Sequence, residues 1–179
     1  MKQPKQKKCK NCKQPFIPIR STLEKYCKES ECVRVWVAEE KDKQWKKTKA
    51  EKKAELLTVQ DWIKITQATF NKYIRLRDKD KGCISCGVPL VGKYDAGHFY
   101  SAGGHYAVRF NPDNVHGQCV ACNQHKHGNL LAYRKGLIER IGQTAYAWLE
   151  DYATDTRKFT VSELMEINEL YKAKIKNLK

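Results

Sequence analysis

The sequence predicts an α+β chain: a zinc-stapled β-hairpin and helix with flanking helices, preceded by a small N-terminal zinc finger. Three observations predict it. The eight cysteines fall into four close pairs, Cys9/Cys12, Cys27/Cys32, Cys83/Cys86 and Cys119/Cys122. Residues 58–77 and the C-terminal stretch carry apolar side chains at helical spacing. Between them, residues 83–128 have many turns and two short strand-like runs, KYDAGHFY and RFNPDNVHGQ.

The cysteines come first because they set the frame. No run is long and apolar enough for a membrane span. The N-terminal MKQPKQKKCKNCK is charged but has no apolar h-region, so it does not read as a secretory signal. A cytoplasmic setting, with no membrane partner, is the expectation. Disulfides are rare there. A CxxC turn aims two thiolates at one point and supplies half of a tetrahedral zinc site. Sequence order then gives two structural Zn²⁺ sites, Cys9, Cys12, Cys27 and Cys32 in the first and Cys83, Cys86, Cys119 and Cys122 in the second.

Charge points to the partner. Lys and Arg number 35 against 20 Asp and Glu, a formal net charge of +15. Such an excess implies a polyanion, most often nucleic acid.

Taken in order, residues 1–32 read as a basic arm and zinc finger with too few apolar residues to fold without metal. KQPFIPIRS is its internal loop. Residues 33–57 are rich in Lys, Glu, Ala and Gln and form a charged spacer helix with Trp36 and Trp45. Residues 58–179 form the main domain, with its motif core at 83–130. Its first helix carries Val59, Trp62, Ile63, Phe70, Tyr73 and Ile74 and stops near Gly82. NQHKHGNLLAYRKGL reads as one helix. TVSELMEINELYKAKIKNL is another, with Thr160 and Glu163 in capping-box spacing. Trp62, Phe70, Trp148 and Tyr152 are expected in the core.

The candidate chemistry lies in the motif core. Cys83 and Cys86 precede a strand ending in Gly97-His98, then come a glycine-rich loop, Asn114, Cys119, Cys122 and Asn123 at a helix start. A zinc clip on this hairpin and helix would bring His98 towards Asn123. GHF…NVHGQCVACNQHK resembles the HNH, or His-Me finger, endonucleases of the ββα-metal type, a treble-clef-like arrangement. The whole chain resembles the NinG (Rap) recombination protein family of lambdoid phages.

The resemblance implies a metal-dependent endodeoxyribonuclease that cuts branched DNA, including recombination intermediates such as Holliday junctions. It implies His98 as general base, since an imidazole titrating near neutrality can take a proton from water. One divalent ion, Mg²⁺ or Mn²⁺, would sit on the scissile phosphate with Asn123 as an oxygen ligand. Asn114 would fix the His98 ring or brace the loop. HNH enzymes commonly carry a metal ligand just before the base, and here that residue is Gly97. Asp95, about 6.6 Å further back along an ideal strand, could serve instead if a bulge at Gly97 brings it in. His127, one helical turn beyond Asn123, is the alternative; Mg²⁺ favours the carboxylate.

Arg109, Lys126 and Arg134 are candidate phosphate contacts. His105 reads as solvated, His125 as pointing away from Asn123, and His116 as a donor to a carbonyl or thiolate or a phosphate contact. Symmetric cutting of a four-way junction needs two active sites, so a homodimer is expected, with recombination proteins as further partners. The competing readings are a non-catalytic zinc-containing nucleic-acid-binding protein, which leaves His98, Asn114 and Asn123 without a role, and a recombination adaptor docking through the long helix.

Overall fold

In a computed structural model, residues 6–19 and 21–178 are described. The first residues of the basic arm, 1–5, and Arg20 of the finger loop lie outside them. The chain divides into two compact units, residues 1–56 and 57–179.

In the first unit, β1 (Lys7–Lys8) pairs antiparallel with β2 (Pro15–Phe16). The sequence reading placed Pro15 and Phe16 in a loop. They form a strand because the knuckle between them is tight: Cys9 N–H donates to Gln14 O, and Lys13 turns with φ +63°. Helix α1 (Ser30–Glu55) begins inside the finger, so that Cys32 lies in its first turn. It carries exposed i,i+3 and i,i+4 pairs such as Lys43–Glu40 and Lys46–Asp42, which solvent screens to a minor contribution. Among the described residues, the buried apolar side chains of this unit are Cys9 and Cys32.

The second unit has a conventional core. Helix α2 (Val59–Arg77) starts at a capping box in which Thr58 and Asp61 bond reciprocally. Helix α5 (Val161–Asn177) starts at the same device, Thr160 with Glu163. The two pack through Trp62, Ile63, Phe70, Ile74, Leu164 and Tyr171, with Phe110, Val115 and Phe159 closing the cluster. Phe70 meets Tyr171 edge-on at 4.8 Å between ring centroids.

Between them in sequence, and packed on α2, comes the hairpin, β3 (Tyr94–His98) antiparallel to β4 (Val115–Cys119), in the register Asp95↔Gln118, Gly97↔His116 and His98↔Val115. Arg77 and Asp78 at the end of α2 brace it. Arg77 donates to Pro112 O and Val115 O, and Asp78 accepts from Gly117 N–H at 2.8 Å. Burial alone would raise the Asp78 carboxyl, but the Arg77 guanidinium and the Gly117 N–H outweigh it and hold the group well below the usual range.

Two elements differ from the sequence reading. NQHKHGNLLAYRKGL is not one helix: a π-helical turn, Ala121–His125, ends before helix α3 (Leu130–Ile141). Positive φ at His127, Gly128 and Asn129 breaks it, a conformation right-handed helix excludes. Helix α4 (Gln143–Tyr152) was not foreseen; it follows Gly142, where φ is +83°. It packs Tyr146, Leu149 and Ala153 against Tyr133, Leu137 and Val108. That phase turns Trp148 outward, 52% exposed, so it is not a core residue; Tyr152, on which it stacks, is half-buried and packs against the same cluster.

Candidate metal centre

Two cysteine tetrads stand where the spacing puts them. In each, the four Sγ atoms lie within 4.8 Å of one another. Sulfurs bound tetrahedrally at about 2.3 Å from zinc would sit about 3.8 Å apart. Cys12 and Cys27 are 3.7 Å apart, and Cys86 and Cys119 are 3.8 Å apart. These are thiols at zinc-binding separation, far too distant for disulfides. Polar hydrogens support both sets. Cys27 N–H faces Cys9 Sγ at 3.3 Å, and Cys119 N–H faces Cys83 Sγ at 3.4 Å. Asn11 and Asn129 carboxamides donate to Cys32 and Cys122, each at 3.5 Å. Such donors stabilise thiolate and orient the ligand. Each tetrad can hold one zinc ion.

Beside the second tetrad lies a cluster of one carboxylate and two carboxamides. Asn123 sits in the π-turn directly after Cys122, and its Nδ2 donates to Asp95 Oδ2 at 2.9 Å. Gln124 Nε2 donates to the same oxygen at 2.7 Å. Asp95, 28 residues earlier in the chain, reaches them because the hairpin register sets it opposite Gln118, one residue before Cys119. Rotation of either carboxamide about its last torsion would exchange nitrogen for oxygen. The cluster would then offer a carboxylate and two amide oxygens, a hard donor set suited to Mg²⁺ or Mn²⁺ and poorly suited to zinc.

Gly97 has a specific reason to lack a side chain. A Cβ there would overlap the Gln118 carboxamide. Gln118 is fully buried and held by Ser85 Oγ at 2.7 Å and Gly128 O at 2.6 Å, so it cannot swing aside.

His98 is the last residue of β3. Its half-buried ring faces α2, with Nε2 3.4 Å from Gln67 Nε2 and Phe70 alongside. Burial pushes its pKa down to about 4, against the opposing pull of the Arg109 backbone carbonyl, so the ring is neutral at pH 7. Asp95 and His98 are three residues apart and leave the strand on opposite faces. No hydrogen bond joins His98 to Asn123 among the described residues; a shared reactant would have to lie along the edge of β3 that β4 does not cover.

The chain can be set beside known proteins. The profile of the family described as "NinG: Bacteriophage Lambda NinG protein" matches residues 1–179. The chain belongs to the NinG family. Protein ninG of Escherichia phage 933W is 36% identical over 199 aligned positions, covering all of this chain and 96% of that protein. Protein ninG of Escherichia phage lambda is 44% identical over 118 residues, 66% of this chain, and that of Salmonella phage P22 is 42% identical over 120 residues. These two matches span 57% and 58% of those relatives. No solved structure matches the chain.

Within this NinG-family chain the remaining candidates divide into committed and free groups. Asn114 is fully buried and braces the loop. Its Oδ1 accepts Tyr100 N–H, and its Nδ2 donates to Tyr100 O and Val108 O. It acts on His98 at one remove, by fixing the segment that carries the Arg109 carbonyl. Arg109 itself donates to Gln67 Oε1 and Ala102 O. Lys126 and Arg134 are exposed, as are His125 and His127. His127 lies past the end of the π-turn, so the same-helix-face argument for it lapses.

His116 is buried, with Nδ1 3.5 Å from the Tyr133 hydroxyl, and burial lowers its pKa to about 3; it is no surface phosphate contact. His105 is half-buried, its Nδ1 3.0 Å from Ala153 O. Gln67 and Gln124 were missed. Gln67 had a signal, a polar residue in phase with Ile63, Phe70 and Ile74 on the apolar stripe of α2. Gln124 had none beyond following Asn123.

Proposed function

We propose that this chain is a metal-dependent, structure-selective endodeoxyribonuclease of the HNH type, hydrolysing phosphodiesters in branched recombination intermediates such as Holliday junctions. The observation that carries the reading is the convergence of the Asn123 and Gln124 carboxamides on the Asp95 carboxylate beside the second cysteine tetrad.

Asp95 would hold the divalent ion, with Asn123 and Gln124 as amide ligands. When bound, the ion supplies charge relief on the scissile phosphate and leaving oxygen. His98, neutral at pH 7 and made less basic by burial, would take a proton from the attacking water at Nε2 once that water replaces the 3.4 Å contact with Gln67 Nε2. The Arg109 carbonyl fixes its ring. Asn114 holds the intervening loop. Gly97 keeps the strand backbone close to Gln118, and so keeps Asp95 and His98 in fixed relation. The net charge of +15 suits a DNA substrate. Paired cuts across a junction would require two copies of the chain, acting in the host cytoplasm with the phage's recombination proteins.

The test is cleavage of four-way and linear DNA by the zinc-loaded protein, in Mg²⁺ or EDTA, for wild type and His98→Ala. The expected result is Mg²⁺-dependent cutting that favours the junction and is abolished in His98→Ala, with binding retained. Junction binding without metal-dependent cutting by wild type would point to the non-catalytic binder. Weak DNA affinity that rises only with a protein partner would point to the adaptor.

A further inference from the structure

A groove of about 520 Å³ opens at the start of β3, and of the residues that line it only Asp95 has a part in the chemistry above. One wall is Lys72, Arg75 and Leu76 of α2; the other is Lys93, Tyr94 and Asp95. Lys72 and Arg75 are three residues apart and share a helix face. The walls are tied together, because the Tyr94 hydroxyl donates to Arg75 O at 2.6 Å.

What separates these cations from their neighbours is that their head groups are uncommitted. Arg77 is spent on Asp78 and two backbone carbonyls, and Arg109 on Gln67 and Ala102. Among the described residues, none of Lys72, Arg75 and Lys93 pairs with a carboxylate. Lys72 and Lys93 are exposed and Arg75 half-buried. Three unpaired cations line a depression whose far wall ends in the carboxylate that also meets Asn123.

We propose that this groove binds DNA backbone phosphates flanking the cleaved bond, with Lys72, Arg75 and Lys93 as the contacts. Its place beside the reaction rests on the reading of Asp95 as a metal ligand; its binding of DNA does not. Anionic backbone would run along α2 and reach Asp95 from the groove, so that the cations offset repulsion between the carboxylate and the strand. Contacts of this kind position a duplex or branch without reading its sequence.

The test is fluorescence anisotropy of a labelled four-way junction without Mg²⁺, over a salt series, with the zinc-loaded full chain. Each phosphate contact contributes about 0.9 to the slope of log K against log salt. The Lys72→Ala/Arg75→Ala/Lys93→Ala variant should lose about 2–3 from that slope, and the fully exposed pair Lys72→Ala/Lys93→Ala about 1–2. The charge-matched control Lys135→Ala/Lys158→Ala/Lys176→Ala, exposed residues outside this groove, should lose less than about 1. Circular dichroism and zinc content should match wild type in all.

A triple variant that behaves like the control overturns the proposal, as does a wild type that binds no DNA. Asp95→Ala separates the two readings: it should keep the salt slope and lose Mg²⁺-dependent cutting. Groove-dependent binding by a protein that never cuts would sink the nuclease reading and leave the groove standing.

Discussion

The two cysteine tetrads repeat each other closely, yet their surroundings differ. Each runs buried, exposed, half-buried, buried along the chain. Each has a backbone N–H on its first sulfur and an asparagine carboxamide on its fourth. Around the first, no other buried apolar side chain stands among the described residues, and Ile17, Ile19 and Leu23 are exposed. The second joins Leu90 and Tyr94 in a small cluster, in a unit that also buries Phe70, Ile74, Tyr133, Leu137 and Leu149. The same coordination chemistry thus serves two ends. In the first unit a bound metal would stand in for a core. In the second it would trim the geometry of a hairpin and helix that other contacts already hold.

Metal removal breaks the comparison most sharply. Structural zinc contributes about 10–16 kcal/mol in small finger peptides at neutral pH. A strong chelator should abolish structure around Cys9–Cys32 outright. The α2–α5 core should keep much of its helical signal and its slow-exchanging amides. Hydrogen exchange resolved by segment checks this, and equal loss in both units would refute it.

Within the second unit, Asp78→Ala should cost about 3–5 kcal/mol, as expected for removing one partner of a buried ion pair, with no effect on zinc content. The folded carboxyl titrates below its unfolded counterpart. Its contribution is therefore complete above about pH 4 and drains away as pH falls below that. Denaturant titrations at pH 7 and pH 3 should show the gap between wild type and Asp78→Ala narrowing at the lower pH.

Gly97→Ala should cost about 1–3 kcal/mol by overpacking against Gln118. It should also lower cutting by more than its stability loss explains, because it shifts β3 between Asp95 and His98. The smallest effect belongs to Thr160→Ala, about 1 kcal/mol from the lost α5 cap, read as a shift in denaturation midpoint with cutting unchanged.

How much was legible in the sequence follows the same divide. The tetrads were, because a CxxC turn carries its geometry with it. So were α2 and α5, whose apolar residues and the Thr160 cap signal locally. The finger's short strands were not: Lys7, Lys8, Pro15 and Phe16 have no strand pattern, and the knuckle imposes their pairing. Helix α4 was missed because Tyr146, Leu149 and Ala153 and, one stripe away, Trp148 and Tyr152 offer two competing apolar phases. Only the position of α3 decides between them.

At the candidate site, His98, Asn114 and Asn123 were visible as residue types at suggestive spacing. Asp95 was visible as a partner for Asn123, with His127 as the alternative; the register across the hairpin, which brings Asp95 and not His127 into contact with Asn123, was not. Nor was the cause of Gly97, which lies in a glutamine 21 positions on.

The central claim is that one hairpin and helix carry two kinds of metal seat, a thiolate clamp and an oxygen cluster, with separate jobs. Titration of Mn²⁺ into the zinc-loaded protein, followed by electron paramagnetic resonance, tests it most directly. Wild type should bind Mn²⁺ at the oxygen cluster, and Asp95→Ala should weaken that binding at least about tenfold while keeping its full zinc content. Unchanged Mn²⁺ affinity in Asp95→Ala, or loss of zinc with it, would contradict the account.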